Sequence, residues 1–145
     1  MRIAVIDGQG GGIGRLLVQA IKQQNPDQYV LALGTNSVAT GSMLKAGADE
    51  GATGERAIVV NVARVDVIMG VMGIVVADAL MGELSPAMAT AIGQSTAHKL
   101  LIPQNRCGIT VIGATQQRLQ TLVAQAVAML NDIENRKTGS DNTVI

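Results

Sequence analysis

The stretch "IAVIDGQGGGIGRLLVQAI", Ile3–Ile21, decides the fold. It begins with a short, β-branched apolar run, passes through a loop rich in glycine and ends in apolar residues at helical spacing. A strand that leads through glycines into a helix is typical of the first crossover of a parallel α/β sheet. Such a turn can hold a phosphate, because the free N–H groups of a helix N-terminus attract anions. Asp7 stands immediately before this loop, where its charge would repel a phosphate.

The composition indicates one domain with an aliphatic core. The chain has 145 residues, 48% of them hydrophobic, with one Tyr and neither Trp nor Phe. Small aliphatic side chains at this density suit a mostly parallel sheet with helices on both faces. They also leave apolar surface over, which predicts a homodimer or a higher homo-oligomer.

The charge pattern excludes several classes of partner. Eleven basic residues balance eleven acidic ones, so binding to nucleic acid through phosphate contacts is not expected. One Cys and one His exclude a disulfide framework and a closed His/Cys zinc site, and no metal site is predicted. No apolar run approaches the ~20 residues of a membrane span. These features predict a cytoplasmic protein that does not enter a membrane.

Strands and helices are predicted to alternate along the chain. The predicted strands are Arg2–Ile6, Tyr29–Leu33, Asp49–Ala52, Val67–Met69, Lys99–Ile102 and Ile109–Ile112. The predicted helices run from the glycines to about Gln24 and over Ser37–Ala46, Glu55–Arg64 and Ile74–Met81, then from Pro86 with Ser85 as N-cap, and from Thr115 to Arg136. Ile58–Val60 is an alternative strand within the third helix.

This order predicts a three-layer, doubly wound, Rossmann-like α/β fold of about six strands with a long C-terminal helix. The strand at 109–112 is expected to form an antiparallel edge, because its connection to the preceding strand is too short for a parallel crossover. Residues 1–137 are predicted to form one domain and 138–145 a flexible tail.

The glycine loop is the first candidate site. Its predicted binding residues are Asp7, Gly8, Gln9, Gly10, Gly11, Gly12, Ile13 and Gly14. The pattern Gly8-x-x-x-Gly12-Ile13-Gly14 resembles the phosphate loop of short-chain dehydrogenases, with Asp7 in place of their threonine. That resemblance implies a nucleotide cofactor. The Tyr-x-x-x-Lys pair that those enzymes use is missing, because Leu33 follows the single tyrosine, Tyr29, at that spacing.

Asp7 has three possible roles in this loop. Its carboxylate can accept hydrogen bonds from backbone N–H groups within the turn, coordinate a cation that bridges to phosphate, or accept a hydrogen bond from a hydroxyl. If Asp7 instead points freely into the crevice, binding of phosphate there is disfavoured.

Other candidates follow the predicted strands. Thr35 and Asn36 stand where an acidic residue would bind the ribose of NAD, so NADP or another nucleotide fits at least as well as NAD; alternatively, Asn36 only caps the next helix. Gly70 would allow close approach of a ligand or pack against a helix. Asn105 and Arg106 lie in a tight loop, where the arginine could bind a phosphate or carboxylate.

The segments "IDGQGGGIG", "AGADEGATGE", "GELSPAMATAIGQS" and "LIPQNRC" together resemble a family of short bacterial proteins known as a domain of unknown function. The resemblance implies a small Rossmann-like protein and supplies no activity. We expect a nucleotide-binding sensor or accessory module. The alternatives are a small enzyme whose site is completed across an oligomer, with Asp7, Glu55, Asp78 or Arg106 contributing, and an oligomeric scaffold without a ligand.

Overall fold

The computed structural model of the protein describes residues 1–140. The strands are β1 (Ile3–Asp7), β2 (Val30–Gly34), β3 (Glu50–Thr53), β4 (Val67–Val71) and β5 (His98–Ile102). The helices are α1 (Gly12–Gln24), α2 (Ser37–Lys45), α3 (Glu55–Asn61), α4 (Pro86–Gln94) and α5 (Leu119–Ser140), and a 3₁₀ turn spans Met72–Val75. The alternation of strands and helices expected from the sequence is therefore present.

The described strands form one parallel sheet in the order β3-β2-β1-β4-β5. Asp7 is level with Gly34 on β2, and Gly34 is level with Thr53 on β3. The carboxyl ends of these three strands therefore meet at one edge. β1 lies between β2 and β4, so the strand order reverses beside β1, and ligands bind at such a reversal in open α/β sheets.

Helices cover both faces of the sheet, and each face has its own core. Leu17 of α1 and Val123 of α5 pack with Val5 on one face. Ile58 of α3 and Ile92 of α4 pack on the other face. Successive residues of β1 contribute to opposite cores because side chains alternate along a strand. The three-layer Rossmann-like fold is thus confirmed, with a buried aliphatic core on each side.

The predicted sixth strand was wrong. Ile109–Ile112 lies in a segment of turns between β5 and α5, and Ile112 is 97% exposed. The N–H of Ile109 donates to the carbonyl of Arg106, which closes a local turn instead of a sheet ladder. The β-branched residues there reflect local strand propensity, which has little effect without a neighbouring strand to pack on.

The helix predicted at Ile74–Met81 was also wrong. The 3₁₀ turn ends at Val75, and the backbone is left-handed at Asp78, Leu80 and Met81. The N–H of Asp78 donates to the carbonyl of Leu84, so the segment folds back on itself. Ile74 and Ala79 are buried within the predicted helix, and their burial accounts for part of the apolar pattern that resembled a helix.

Several finer predictions are settled by local contacts. The side chain of Asn36 accepts from the N–H of Ala39 and caps α2, and Ser85 caps α4 in the same way. Ile58 lies in α3, so the alternative strand there is wrong. The C-terminal helix begins at Leu119 instead of Thr115 and continues to Ser140, so residues 138–140 of the predicted tail are helical, whereas 141–145 lie outside the described residues. Among residues 1–140, no helix combines the length and apolarity needed to cross a bilayer.

Candidate functional site

The glycine loop connects the carboxyl end of β1 to the N-terminus of α1. The N–H of Gly11 donates to the carbonyl of Gly8 over 2.9 Å and closes the turn. Gly11 has a φ of 72°, and a Cβ there would lie 2.8 Å from the Cα of Ala39. Gly11 is therefore required both by the left-handed backbone and by the close approach of α2.

Asp7 is tied to the backbone of this loop, which is the first of its three possible roles. It is only 6% exposed. Its Oδ1 accepts from the N–H of Gly8 at 2.8 Å and its Oδ2 from the N–H of Gly14 at 2.6 Å. The N-cap Gly11 has no side chain, so Asp7 supplies the cap of α1 from the preceding strand. Its carboxylate does not point freely into the crevice.

Burial raises the pKa of Asp7 above its ordinary value. The two N–H donors, Gly14 and then Gly8, oppose that effect by stabilising the charged form, and the negative charge of Glu83 raises the pKa further. Asp7 and Glu83 are therefore close enough to interact electrostatically, although they lie far apart in the sequence.

The outer side of the loop presents N–H groups to solvent. Gly12 and Ile13 are the first residues of α1, and their N–H groups have no acceptor among residues 1–140. Gly10 and Gly12 are exposed, and a Cβ on either would meet no heavy atom within 4 Å. At Gly14, by contrast, a Cβ would lie 2.8 Å from that of Asp7. Packing therefore explains Gly14 but neither Gly10 nor Gly12.

Glu83 lies beside the loop and was missed by the sequence analysis. Its carboxylate accepts from the N–H of Gln9 at 3.1 and 3.2 Å, from the Thr35 hydroxyl at 3.0 Å and from the Asn36 side-chain amide. The same amide of Asn36 also donates to the carbonyl of Gln9 at 3.0 Å. Glu83 thus joins the glycine loop to the end of β2, and Thr35 and Asn36 lie beside the loop.

The pKa of Glu83 is lowered from its ordinary value. The Asn36 amide has the largest effect, partial burial opposes it, and the Thr35 hydroxyl and the Gln9 N–H lower the pKa further. All three donors are uncharged groups that stabilise the carboxylate form. Glu83 is therefore a fixed negative charge at the carboxyl edge of the sheet.

A cavity of about 250 Å³ opens beside the loop, where the strand order reverses between β1 and β4. Most of its wall is apolar, and the polar side chains are those of glutamine, arginine and cysteine. It is lined by Gln9, Met72, Gly73, Val76, Ala79, Leu80, Met81, Gln104, Arg106, Cys107 and Ile109. Because Gln9 belongs to both, the cavity adjoins the glycine loop.

Of the remaining predicted residues, some line the cavity and others have contacts elsewhere. Arg106 lies on the cavity wall, whereas the side chain of Asn105 accepts from the N–H of Val111 within its own loop. Gly70 is buried in β4, where a Cβ would lie 2.8 Å from the carbonyl oxygen of Ile6, so sheet packing explains this glycine. Glu55 accepts from the hydroxyl of Ser85 and does not line the cavity.

No local signal in the sequence could have identified Glu83 as part of the site. It lies between the helix predicted to end at Met81 and the Ser85 N-cap, where a surface glutamate is ordinary. Its position depends on the left-handed residues Asp78, Leu80 and Met81, which turn the chain back toward β1. Leu80 also reaches the loop, since a Cβ on Gly8 would lie 2.9 Å from its Cδ1.

The parallel sheet, the glycine loop at β1 and the cavity at the strand-order reversal define a Rossmann-like α/β protein. The chain belongs to the family described as Domain of unknown function (DUF3842), whose profile matches residues 2–135. No curated protein matches the sequence.

One solved structure shows how far the fold is shared. A dodecameric FMN-dependent UbiX-like decarboxylase from Escherichia coli O157:H7 is 15% identical to this chain. The alignment covers 93% of this chain and 95% of that one, with a TM-score of 0.50. At this identity the comparison establishes a common Rossmann-like fold.

Proposed function

We propose that this protein binds a nucleotide cofactor at the glycine loop and the adjoining cavity. The observation that carries the proposal is the pair Gly10 and Gly12, which are exposed and have space for a Cβ. Close approach of a ligand to the backbone is a reason for glycine that packing does not supply here. The N–H groups of Gly12 and Ile13 would donate to the phosphate, aided by the α1 dipole.

The position of Asp7 supports this proposal. A carboxylate pointing outward would repel the phosphate, but Asp7 is turned inward onto the N–H groups of Gly8 and Gly14. These two bonds hold the loop in the conformation that exposes the next N–H groups. The aspartate is thus compatible with an anion on the outer side of the loop.

The adjoining cavity supports a ligand with an apolar, ring-like part. Its volume of about 250 Å³ is below the ~300–1,000 Å³ of typical small-molecule sites, so it would enclose one ring system with the rest of the ligand on the loop. Arg106 on the wall would bind a phosphate or carboxylate of the ligand or of a second molecule. NAD, NADP and FMN all have this combination of phosphate and ring, and the FMN-dependent neighbour adds FMN to the candidates suggested by the sequence.

The cavity favours a binding role over catalysis. Among the described residues that line it, Cys107 is the only nucleophile, and none is a His, Asp or Glu that could serve as its base. We therefore propose a nucleotide-binding sensor or accessory module. We also propose that it assembles as a homo-oligomer, because Met81 and Ile112 are almost fully exposed apolar side chains and the solved neighbour is dodecameric.

Calorimetry and thermal-shift measurements test the binding proposal. Purified protein is titrated with NAD, NADP, ATP, GTP and FMN. A ligand at about 100 times its dissociation constant should stabilise the folded protein by ~2.7 kcal/mol. If none of the five raises the melting temperature at millimolar concentration, the proposal is wrong.

The variant Gly12→Val tests whether the nucleotide binds at the glycine loop. A Cβ at Gly12 meets nothing in the protein, so the variant should fold, while its branched side chain would block the approach of phosphate to the N–H groups. Gly93→Val is the matched control, because Gly93 is an exposed helical glycine in α4 with equal space. We expect binding to be lost in Gly12→Val and kept in Gly93→Val. Equal binding by both variants would contradict the assignment of the loop.

A further inference from the structure

We propose that Glu83 determines which nucleotide this site accepts, selecting a free ribose over one that carries a 2′-phosphate. This inference rests on the proposed function and names the ligand class more closely. It also reverses the expectation from Thr35 and Asn36 alone, two neutral residues that would tolerate a 2′-phosphate.

The position of Glu83 is the first argument. A nucleotide whose phosphate lies on the glycine loop places its ribose over the end of the second strand in this fold class. Here that place is next to Thr35, whose hydroxyl lies 3.0 Å from Oε1 of Glu83. The acidic group that the end of β2 lacks in the sequence is thus supplied by the segment that follows β4.

The remaining hydrogen-bonding capacity of this carboxylate is the second argument. Oε1 accepts from Gln9, Thr35 and Asn36, whereas Oε2 accepts only a shared bond from the N–H of Gln9 at 3.1 Å. A carboxylate offers about four acceptor positions on its two oxygens. Oε2 can therefore accept from a ligand hydroxyl, and a 2′-hydroxyl is such a donor.

Charge is the third argument. The three donors to Glu83 are neutral, and neither ion pair described in residues 1–140 involves it. A 2′-phosphate next to this carboxylate would bring two negative groups together without a cation to separate them, and like charges in a binding site are strongly unfavourable.

The experiment compares NAD with NADP, which differ only in the 2′-phosphate, by calorimetry on the intact chain. Wild type should prefer NAD by about tenfold or more, the factor that corresponds to ~1.4 kcal/mol. Glu83→Gln keeps the size of the side chain and removes its charge, and should reduce this preference to about threefold or less.

Asp132→Asn is the matched control, since it removes one negative charge from an exposed position of α5. Lys137 of the same helix pairs with Asp66 just before β4, so this part of α5 lies at the amino edge of the sheet. The control should keep the wild-type preference. Circular dichroism and the melting temperature of each variant show that the chain remains folded.

The outcomes separate the two proposals. If wild type binds NAD and NADP equally, or if Glu83→Gln leaves a strong preference for NAD unchanged, the role of Glu83 is wrong and the nucleotide site stands. If neither wild type nor variant binds either compound, and the five-nucleotide titration is also negative, the proposed function itself fails. If the preference for NAD is reduced in Glu83→Gln and kept in Asp132→Asn, both the nucleotide site and the role of Glu83 are supported.

A second probe tests the hydrogen bond separately from the charge. NAD that lacks the 2′-hydroxyl of its adenosine ribose should bind wild type about tenfold more weakly than NAD, as expected for loss of one bond to a charged acceptor. Glu83→Ala should bind the two compounds within about twofold of each other, because the acceptor is gone. A deoxy penalty that is the same in wild type and Glu83→Ala would show that Glu83 does not contact the ribose.

Discussion

At the scale of single residues, Asp7 illustrates how a charge beside a glycine loop is accommodated. Its carboxylate is directed into the turn, where two N–H groups bind it, instead of outward into the crevice. Burial nevertheless exceeds the stabilisation by these donors, so the pKa of Asp7 is raised. The ionised form of Asp7 therefore reduces the stability of the fold relative to the protonated form.

The sign of the resulting pH dependence follows from linkage. Between the ordinary value of 3.8 and the raised pKa, the folded state binds more protons at Asp7 than the unfolded state does. The contribution of Asp7 to stability is therefore present at low pH and is lost as the pH rises through its raised pKa. Glu83 acts in the opposite sense, because its pKa is lowered and its contribution is lost as the pH falls below about its ordinary value of 4.5.

The variant Asp7→Asn separates the contribution of Asp7 to the pH dependence of stability from that of Glu83. The amide has one acceptor oxygen, so the N–H of Gly8 or Gly14 is left unpaired, at a cost of ~1–3 kcal/mol. We expect the free energy of unfolding of wild type to exceed that of the variant most at low pH, with the difference shrinking as the pH rises above 3.8. Urea unfolding at pH values from about 3, which is ~1 unit below the ordinary aspartate pKa, to about 8, which is ~4 units above it, measures this difference in the free energy of unfolding. A difference that is independent of pH would contradict the raised pKa.

At the scale of elements, the start of α1 separates glycines needed for the fold from glycines available to a ligand. A Cβ on Gly14 would lie 2.7 Å from the sulfur of Met43 and 2.8 Å from the Cβ of Asp7. A Cβ on Gly12 would meet nothing. The two positions lie in the same helical turn, so they share local propensity and differ in packing.

Alanine at each position gives a direct comparison. Gly14→Ala should destabilise the protein by ~1–3 kcal/mol, because the inserted methyl group displaces Asp7 or Met43. Gly12→Ala should be neutral or stabilising by up to ~1 kcal/mol, because alanine favours the helix. Denaturant unfolding of both variants measures the difference. If Gly12→Ala proves as destabilising as Gly14→Ala, Gly12 is also an architectural glycine, and the argument for a ligand at the loop loses its main support.

The segment between β4 and α4 is the other decisive element. Its left-handed residues Asp78, Leu80 and Met81 bring Glu83 onto the loop and place Leu80 against Gly8. Non-glycine residues in this conformation each cost ~1–3 kcal/mol and persist only where surrounding contacts hold them. Buried Leu84 and the bonds of Glu83 provide such contacts, so the strained segment and the candidate site are parts of one arrangement.

At the scale of the whole molecule, exposed apolar side chains are the main feature that contacts within one chain do not explain. Met81 is 92% exposed and Ile112 is 97% exposed. Within the described residues, β5 pairs only with β4, so its outer edge has unpaired backbone groups, which are a template for association. A second copy would cover some of this surface.

Light scattering coupled to size-exclusion chromatography tests the assembly. We expect a mass of at least twice the 14.9 kDa of the chain. Met81→Lys and Ile112→Lys, measured separately, should lower that mass if the substituted side chain lies in the interface, because a charge buried there would be unpaired. A mass of 14.9 kDa for wild type over the whole concentration range would show that the chain is a monomer.

The sequence by itself determined the fold class and predicted part of the candidate site. The stretch Ile3–Ile21 specifies a strand, a turn and a helix through local periodicity, and its glycines predict a candidate site at that turn. The predicted caps at Asn36 and Ser85 were confirmed, because capping depends on residues only a few positions apart.

Only the tertiary structure decided the rest. Asp7 is turned inward because Gly14, seven residues on, lies within reach of its carboxylate once α1 packs on β1. Glu83 lies 74 residues beyond Gln9 and reaches the loop because the backbone before it is left-handed. The apolar pattern of that preceding stretch predicts a helix instead. Strand propensity at 109–112 was overridden because no strand of residues 1–140 lies beside it. Local periodicity specifies elements, whereas a site assembled from distant segments is specified by packing, which a single sequence does not display.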